Sequence, residues 1–224
     1  MNLPVNAPRR AGAANAPRAR PRQRRAAQTR RRLYESAMAE YGRVGLEAAR
    51  VEDIVAAAGV SWGTFFHYFP AKEDVLLDAG AEISYAYSAA VVAGLADGKD
   101  IEDILAAGFT SMFQAALRVT SSGPLRGKVL MYVLSHPGSL TAFLADDGSE
   151  LPAPVPATTA VLAEGQYRGE IRADEPAESL AVILLYAVLF SARRGSTLGR
   201  PPASTPLNRL ALQIVLRGMR PDAD

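Results

Sequence analysis

Cysteine is absent from all 224 residues, which excludes disulfides, thiolate nucleophiles and cysteine-ligated metals. Histidine is nearly absent: His67 and His136 are the only two, too few to build a metal or catalytic centre alone. Long apolar runs are missing too. The longest, LAVILLYAVLF at 180–190, has eleven residues, short of the ~20 a membrane-spanning helix needs. It reads as a helix buried on all sides. There is no Gly-x-Ser-x-Gly elbow, no phosphate-cradling glycine loop and no histidine pair at metal spacing. Neither an enzyme, a cofactor, a metal nor a membrane is therefore expected, and the cysteine-free chain suits the cytoplasm.

Charge is present but unevenly placed. The net charge is only +2, yet ten of the 25 basic residues are arginines within positions 1–32, where no acid occurs. The rest of the chain sets fifteen bases against 23 acids. A basic arm on an acidic body predicts a polyanionic partner, nucleic acid first. Although it is Arg-rich, the N-terminus lacks the apolar run of a secretory signal and the amphipathic spacing of a transit peptide.

Residues 1–27 mix Pro, Ala, Gly and Arg without periodicity and are expected to be a disordered arm. From Gln28 the pattern is helical throughout, and no strand-like alternation of useful length and no repeat follows. Leu33, Ala37 and Tyr41 mark one helix; Val51, Ile54, Val55 and Ala58 mark a short second one. Gly59 supplies a left-handed stop, and Ser61 can cap a third helix. Further helices are expected at about 72–96, 101–121, 125–134, 157–167, 176–193 and 207–218, separated by breaks such as SSGP, HPGS, DDGSELPAPVP and GSTLGRPPASTP. The expected fold is all-α: an arm (1–27), a three-helix helix-turn-helix domain (28–74) and a larger helical domain (75–224).

Two short helices joined by a tight glycine turn form the arrangement whose second helix enters the DNA major groove. The wider segment is more specific. It contains Ala37 with Tyr41-Gly42, then Gly45-Leu46-Glu47-Ala48, Val51-Glu52-Asp53-Ile54 and Ala58-Gly59-Val60-Ser61. Gly63-Thr64-Phe65-Phe66-His67-Tyr68-Phe69 and Lys72-Glu73-Asp74-Val75-Leu76 follow in order. On these motifs, residues 29–77 resemble the DNA-binding domain of the TetR (tetracycline-repressor-like) family of bacterial transcriptional regulators. The resemblance covers about a fifth of the chain. It implies a DNA-binding homodimer with a variable domain for a small-molecule effector and for dimerisation. Gly165-Gln166 and Gly169-Glu170-Ile171 also look like a stretch found before the last two helices of many members.

Three positions depart from the family pattern. Ala49-Arg50 stands where a Thr or Ser usually caps the second helix, a loss of ~1 kcal/mol. Phe66 replaces a usual Tyr, and Trp62 occupies a position more often polar. Spacing places Phe65 and Phe69 inward with Val60, and Trp62, Gly63, Phe66 and His67 outward. The candidate DNA contacts are Arg30, Arg50, Ser61, Trp62, Gly63, Thr64, Phe66, His67, Tyr68 and Lys72, with Lys72 given a phosphate contact by the resemblance. No Arg, Asn or Gln stands on the outward face to pair with a purine edge. Trp62 suits apolar contact with a thymine methyl, while arginines before the first helix suit a narrow minor groove.

Phe109, Met112, Phe113, Met131, Tyr132 and Phe143 are the candidates to line an effector cavity. Few charges fall on these helix faces, which suggests an apolar or amphipathic effector. Leu180, Leu184, Val188, Leu210 and Ile214 are expected at a homodimer interface, because helix 176–193 is apolar around most of its circumference. The leading function is a ligand-responsive regulator, a repressor released from a pseudo-palindromic operator. Two others fit less well: a non-specific nucleic-acid-binding or architectural protein, and an adaptor of the same fold that no longer reads DNA.

Overall fold

The computed structural model describes residues 21–121, 123–135, 151–197 and 206–221, all helix and connecting turn. Helix α1 spans Pro21–Val44, α2 Val51–Ala58 and α3 Trp62–Tyr68. A 3₁₀ turn at Lys72–Asp74 leads into α4, Val75–Ala96. There follow α5 (Ile101–Val119), α6 (Gly123–Ser135), α7 (Pro154–Tyr167), α8 (Ala177–Thr197) and α9 (Pro206–Gly218). The chain is an all-α protein with an N-terminal three-helix helix-turn-helix domain and a larger helical domain behind it.

Local chemistry explains the reading head. At Gly59 the backbone turns left-handed (φ 65°), and the next amide, Val60 N–H, bonds back to Val55 O at 3.1 Å, closing α2. Two residues on, Ser61 is extended and its Oγ accepts the Thr64 N–H at 3.2 Å, opening α3. No side chain caps α2, since Arg50 occupies that position and makes no capping bond.

Several boundaries differ from the sequence expectation, two of them at the reading head. α1 starts at Pro21, seven residues before Gln28, so Arg24 and Arg25 stand on a helix rather than in a loose arm. Proline is well tolerated in a first turn, and the Arg-Gln-Ala run behind it favours helix without any apolar stripe to announce it. The long helix expected from Lys72 begins instead as one 3₁₀ turn.

Burial forms two clusters. The first gathers Leu33, Ala37, Tyr41, Ile54, Val55, Phe65, Phe69, Val75 and Leu76, and is completed by Leu125, Val129 and Val133 from α6. The second gathers Tyr87, Val91, Ile104, Leu105, Phe109, Val161, Leu162, Leu184 and Val188 with neighbours from α5, α7, α8 and α9. Ile83 of α4 packs against both. At ~1.5–3 kcal/mol for each large apolar side chain buried, the three α6 residues fasten the reading head firmly to the rest.

Glycine sets how closely the helices approach. A Cβ at Gly80 would overlap Val133 of α6, and one at Gly108 would stand 2.8 Å from Val91 and 2.9 Å from Tyr87. Inside the larger domain, Thr158 donates to Pro154 O at 2.7 Å, which leaves the Tyr87 hydroxyl to donate to Thr158 Oγ1 at 2.7 Å. Burial raises the Tyr87 phenol far above its usual range, so it remains a donor. Lys72–Ala96 is long and apolar enough to cross a membrane, yet it packs against α1, α5, α6 and α7 as the central helix of the fold.

Candidate nucleic-acid interface

α3 is held from beneath by aromatic packing. Phe65 is fully buried and its ring lies 5.6 Å from Phe69 and 5.2 Å from Phe66. On the opposite side, Trp62, Gly63 and His67 are exposed, while Thr64, Phe66 and Tyr68 are half-buried. Trp62 is 55% exposed, so it stands on the surface and is not packed between the two domains. The Ser61 and Thr64 hydroxyls are paired with each other at 2.8 Å. Gly63 has open space where a Cβ would be, so the backbone can come close to a partner.

Arg30 requires a correction. Its Nε and Nη2 bind both oxygens of Asp78 at 2.8 and 2.6 Å, its Nη1 donates to Tyr68 O at 3.1 Å, and its guanidinium lies 4.5 Å above the Phe69 ring. It is a strut joining α1, the end of α3 and the start of α4, because a planar fork satisfies a carboxylate and a helix-end carbonyl together. Lys72 is also engaged: its Nζ donates to Glu47 O at 3.0 Å and Ala49 O at 3.1 Å, tying the α3–α4 turn to the loop that enters α2. One of its three donors remains for a phosphate. Arg50 is exposed and lies 3.7 Å from Glu52. Arg24, Arg25 and Arg32 are exposed on α1, with Arg31 paired to Glu35 at 2.7 Å.

Sequence reasoning missed how α6 grips this head. Lys128 is paired with Glu47, and that contact holds the Glu47 carboxyl below its ordinary range. Tyr132 donates to Asp74 Oδ1 at 2.7 Å, while Asp74 Oδ2 accepts the Ala71 N–H at 2.8 Å. Burial, reinforced by that bond, pushes the Tyr132 phenol up to about 12, so it stays a donor at neutral pH. These partners lie 58 and 81 residues apart, beyond the reach of any local pattern.

The candidate effector residues do not all come together. Phe109, Met112 and Phe113 are buried in the larger core, where Phe109 meets Tyr87 edge-on at 5.2 Å. Tyr132 instead packs on the reading head, and Met131 is 38% exposed, because α6 turns those positions away from the larger core. Phe143 lies outside the described residues. A recess of about 480 Å³ is lined by Asp100, Glu102, Asp103 and Glu170 beside Ile101, Ile171, Leu216 and Arg220. Its acidity is the wrong chemistry for an apolar effector.

The dimer face also shifts. Leu180, Leu184 and Val188 are buried in the subunit's own core and have no surface left for a partner. Among the described residues of α8 and α9, the exposed large apolar side chains are Ile183, Tyr186, Phe190, Leu210 and Ile214. Because α8 is apolar all round, its period could not say which side faces inward.

Comparison with known proteins agrees with this geometry. Residues 33–79 match the family model described as bacterial regulatory proteins, tetR family. Residues 33–79 are thus a TetR-type DNA-binding domain. Among solved structures it is similar to FadR of Thermus thermophilus, a TetR-family transcriptional repressor in complex with lauroyl-CoA. That match has 26% identity and a TM-score of 0.64, and covers 87% of this chain and 97% of that one. It shares its fold with SmeT, the repressor of the Stenotrophomonas maltophilia multidrug efflux pump SmeDEF, at 20% identity and TM-score 0.58, over 87% of this chain and 93% of that one. FadR of Bacillus halodurans, a fatty acid degradation regulator, aligns at 18% identity and TM-score 0.57, over 85% and 99%. No curated protein matches the chain in sequence. That domain, in a fold shared with TetR-family regulators over most of the chain, supports a DNA-binding transcriptional regulator.

Proposed function

We propose that the protein is a homodimeric repressor that leaves a pseudo-palindromic operator when a small apolar or amphipathic effector binds its larger domain. The observation that carries this is the outer face of α3, presented by a rigid head: Trp62 and His67 exposed, Gly63 open, and Phe65 buried beneath them. Trp62, Gly63, Phe66 and His67 face the groove. Ser61 and Thr64 set the start of the helix, Tyr68 its end, and Lys72 and Arg50 meet phosphates. Uncovered apolar residues on α8 and α9 support pairing with a second copy, which would set the two reading helices ~34–36 Å apart or a little more. Such a regulator works in the cytoplasm, with DNA, effector and a second subunit as partners.

The apolar core around Phe109, Met112 and Phe113 supports an effector with a hydrocarbon part. So does the FadR of Thermus thermophilus, seen with lauroyl-CoA. Release follows if the effector favours a conformer in which α4 and α6 carry the heads to another separation; a ligand indifferent to the two conformers would shift nothing. The test is to titrate the protein–operator complex with lauroyl-CoA and a series of apolar and amphipathic compounds, following fluorescence anisotropy. Dissociation by at least one compound that leaves the protein folded is the expected result. A complex indifferent to compounds shown to bind the protein would reject ligand-controlled release.

A further inference from the structure

Trp62 is the most exposed large apolar side chain on the reading head, and it is not loose. Its ring centroid lies 4.3 Å from that of Phe66, which meets buried Phe65 edge-on at 5.2 Å. Three rings thus form a column from the core of the head to its outer surface. Adjoining Gly63 leaves room for close approach, and the Ser61 and Thr64 hydroxyls are already paired. From 61 to 68 there is no Arg, Asn, Gln, Lys, Asp or Glu. A reading helix of this composition has little with which to recognise the hydrogen-bonding edges of bases.

One apolar group does vary along the major groove, the C5-methyl of thymine. 5-Methylcytosine carries the same group at the same ring position. We propose that Trp62, braced by Phe66, recognises a pyrimidine C5-methyl in each half-site, so that one operator position is read by methylation rather than by its hydrogen-bonding edge. At that position thymine is preferred to uracil, and 5-methylcytosine to cytosine. Binding to such a site would then respond to cytosine methylation. The inference rests on the operator-binding function proposed above and adds its chemistry of recognition. Phe66 acts through Trp62 and is a positioning residue.

The test uses the full-length protein and a duplex selected from random DNA. Each thymine is replaced in turn by deoxyuridine, and the sensitive position is then rebuilt with cytosine or 5-methylcytosine opposite guanine. Removing the methyl from one half-site should weaken binding about fourfold, the equivalent of one buried methylene, and from both half-sites about fifteenfold. Restoring it on cytosine should recover a similar factor. Trp62→Ala should bind methylated and unmethylated duplexes alike, while Trp62→Phe should keep most of the preference. Since the side chain is exposed, both variants leave the core of the head intact. Uracil tolerated at every position overturns the proposal, as does unchanged discrimination in Trp62→Ala. Preference for thymine over uracil without preference for 5-methylcytosine over cytosine also overturns it, because methyl recognition is then confined to the A·T pair and binding does not respond to cytosine methylation. Failure to select any duplex removes the operator function itself, a different result from equal binding of the two bases.

Discussion

Arg30 holds three things with one guanidinium: both oxygens of Asp78, the carbonyl that ends α3, and the face of Phe69. Replacing it with Ala should destabilise the protein by about 1 kcal/mol, a low value because the side chain is 42% exposed. Lys restores the charge but not the fork, so Arg30→Lys should recover only part of the loss. Urea unfolding measures both, and an Arg30→Ala variant of wild-type stability would show the strut to be idle. Gly80 gives a sharper case. An Ala there collides with Val133, and overpacking of this kind costs about 1–3 kcal/mol. Trimming the obstacle in Gly80→Ala/Val133→Ala should return part of that loss beyond simple additivity; strictly additive effects would mean that the contact does not set the α4–α6 distance. At this scale the sequence was informative only where the partner is close by. Gly59 and Ser61 announce their turn and cap, whereas Asp78 stands 48 residues from Arg30 and leaves no trace beside it.

Among the elements, α1 and α6 carry most of what was not legible beforehand. The helical start at Pro21 puts Arg24 and Arg25 on a fixed scaffold, and the composition that suggested disorder is one that a helix accepts when its second half is anchored. Removing residues 1–27 takes away seven arginines. Binding should weaken and its salt dependence should flatten. If the arm reads a minor groove, operator affinity falls more than affinity for random DNA, as paired titrations at two salt concentrations would reveal; an equal fall would limit the arm to general attraction. α6 reads in the sequence as one more short helix, yet it completes the core of the head through Leu125, Val129 and Val133, and bonds to it through Lys128 and Tyr132. Tyr132→Phe should leave the fold intact and raise the effector concentration needed for DNA release, because the link from α6 to the α3–α4 turn is loosened. Release curves identical to wild type would place the coupling elsewhere.

For the whole molecule, helix order, the turn and the reading helix were legible because each is set by neighbours within a few residues. The orientation of α8 was not: apolar on every side, it gave no phase, and burial reassigns its outward face to Ile183, Tyr186 and Phe190. With Leu210 and Ile214 these side chains form the surface proposed for pairing. Ile183→Glu with Ile214→Glu should give a folded monomer by analytical ultracentrifugation, with operator affinity reduced by orders of magnitude; an intact dimer would mean that the subunits pair elsewhere. The central claim is that two copies of α3 read DNA together. In-vitro selection from random duplexes at moderate salt tests it most directly. The account predicts an enriched pseudo-palindrome whose half-sites are about one helical turn apart or slightly more, and in which Trp62→Ala loses the thymine preference at the position that Trp62 reads. Recovery of unenriched sequence, or of a lone half-site without symmetry, would contradict it.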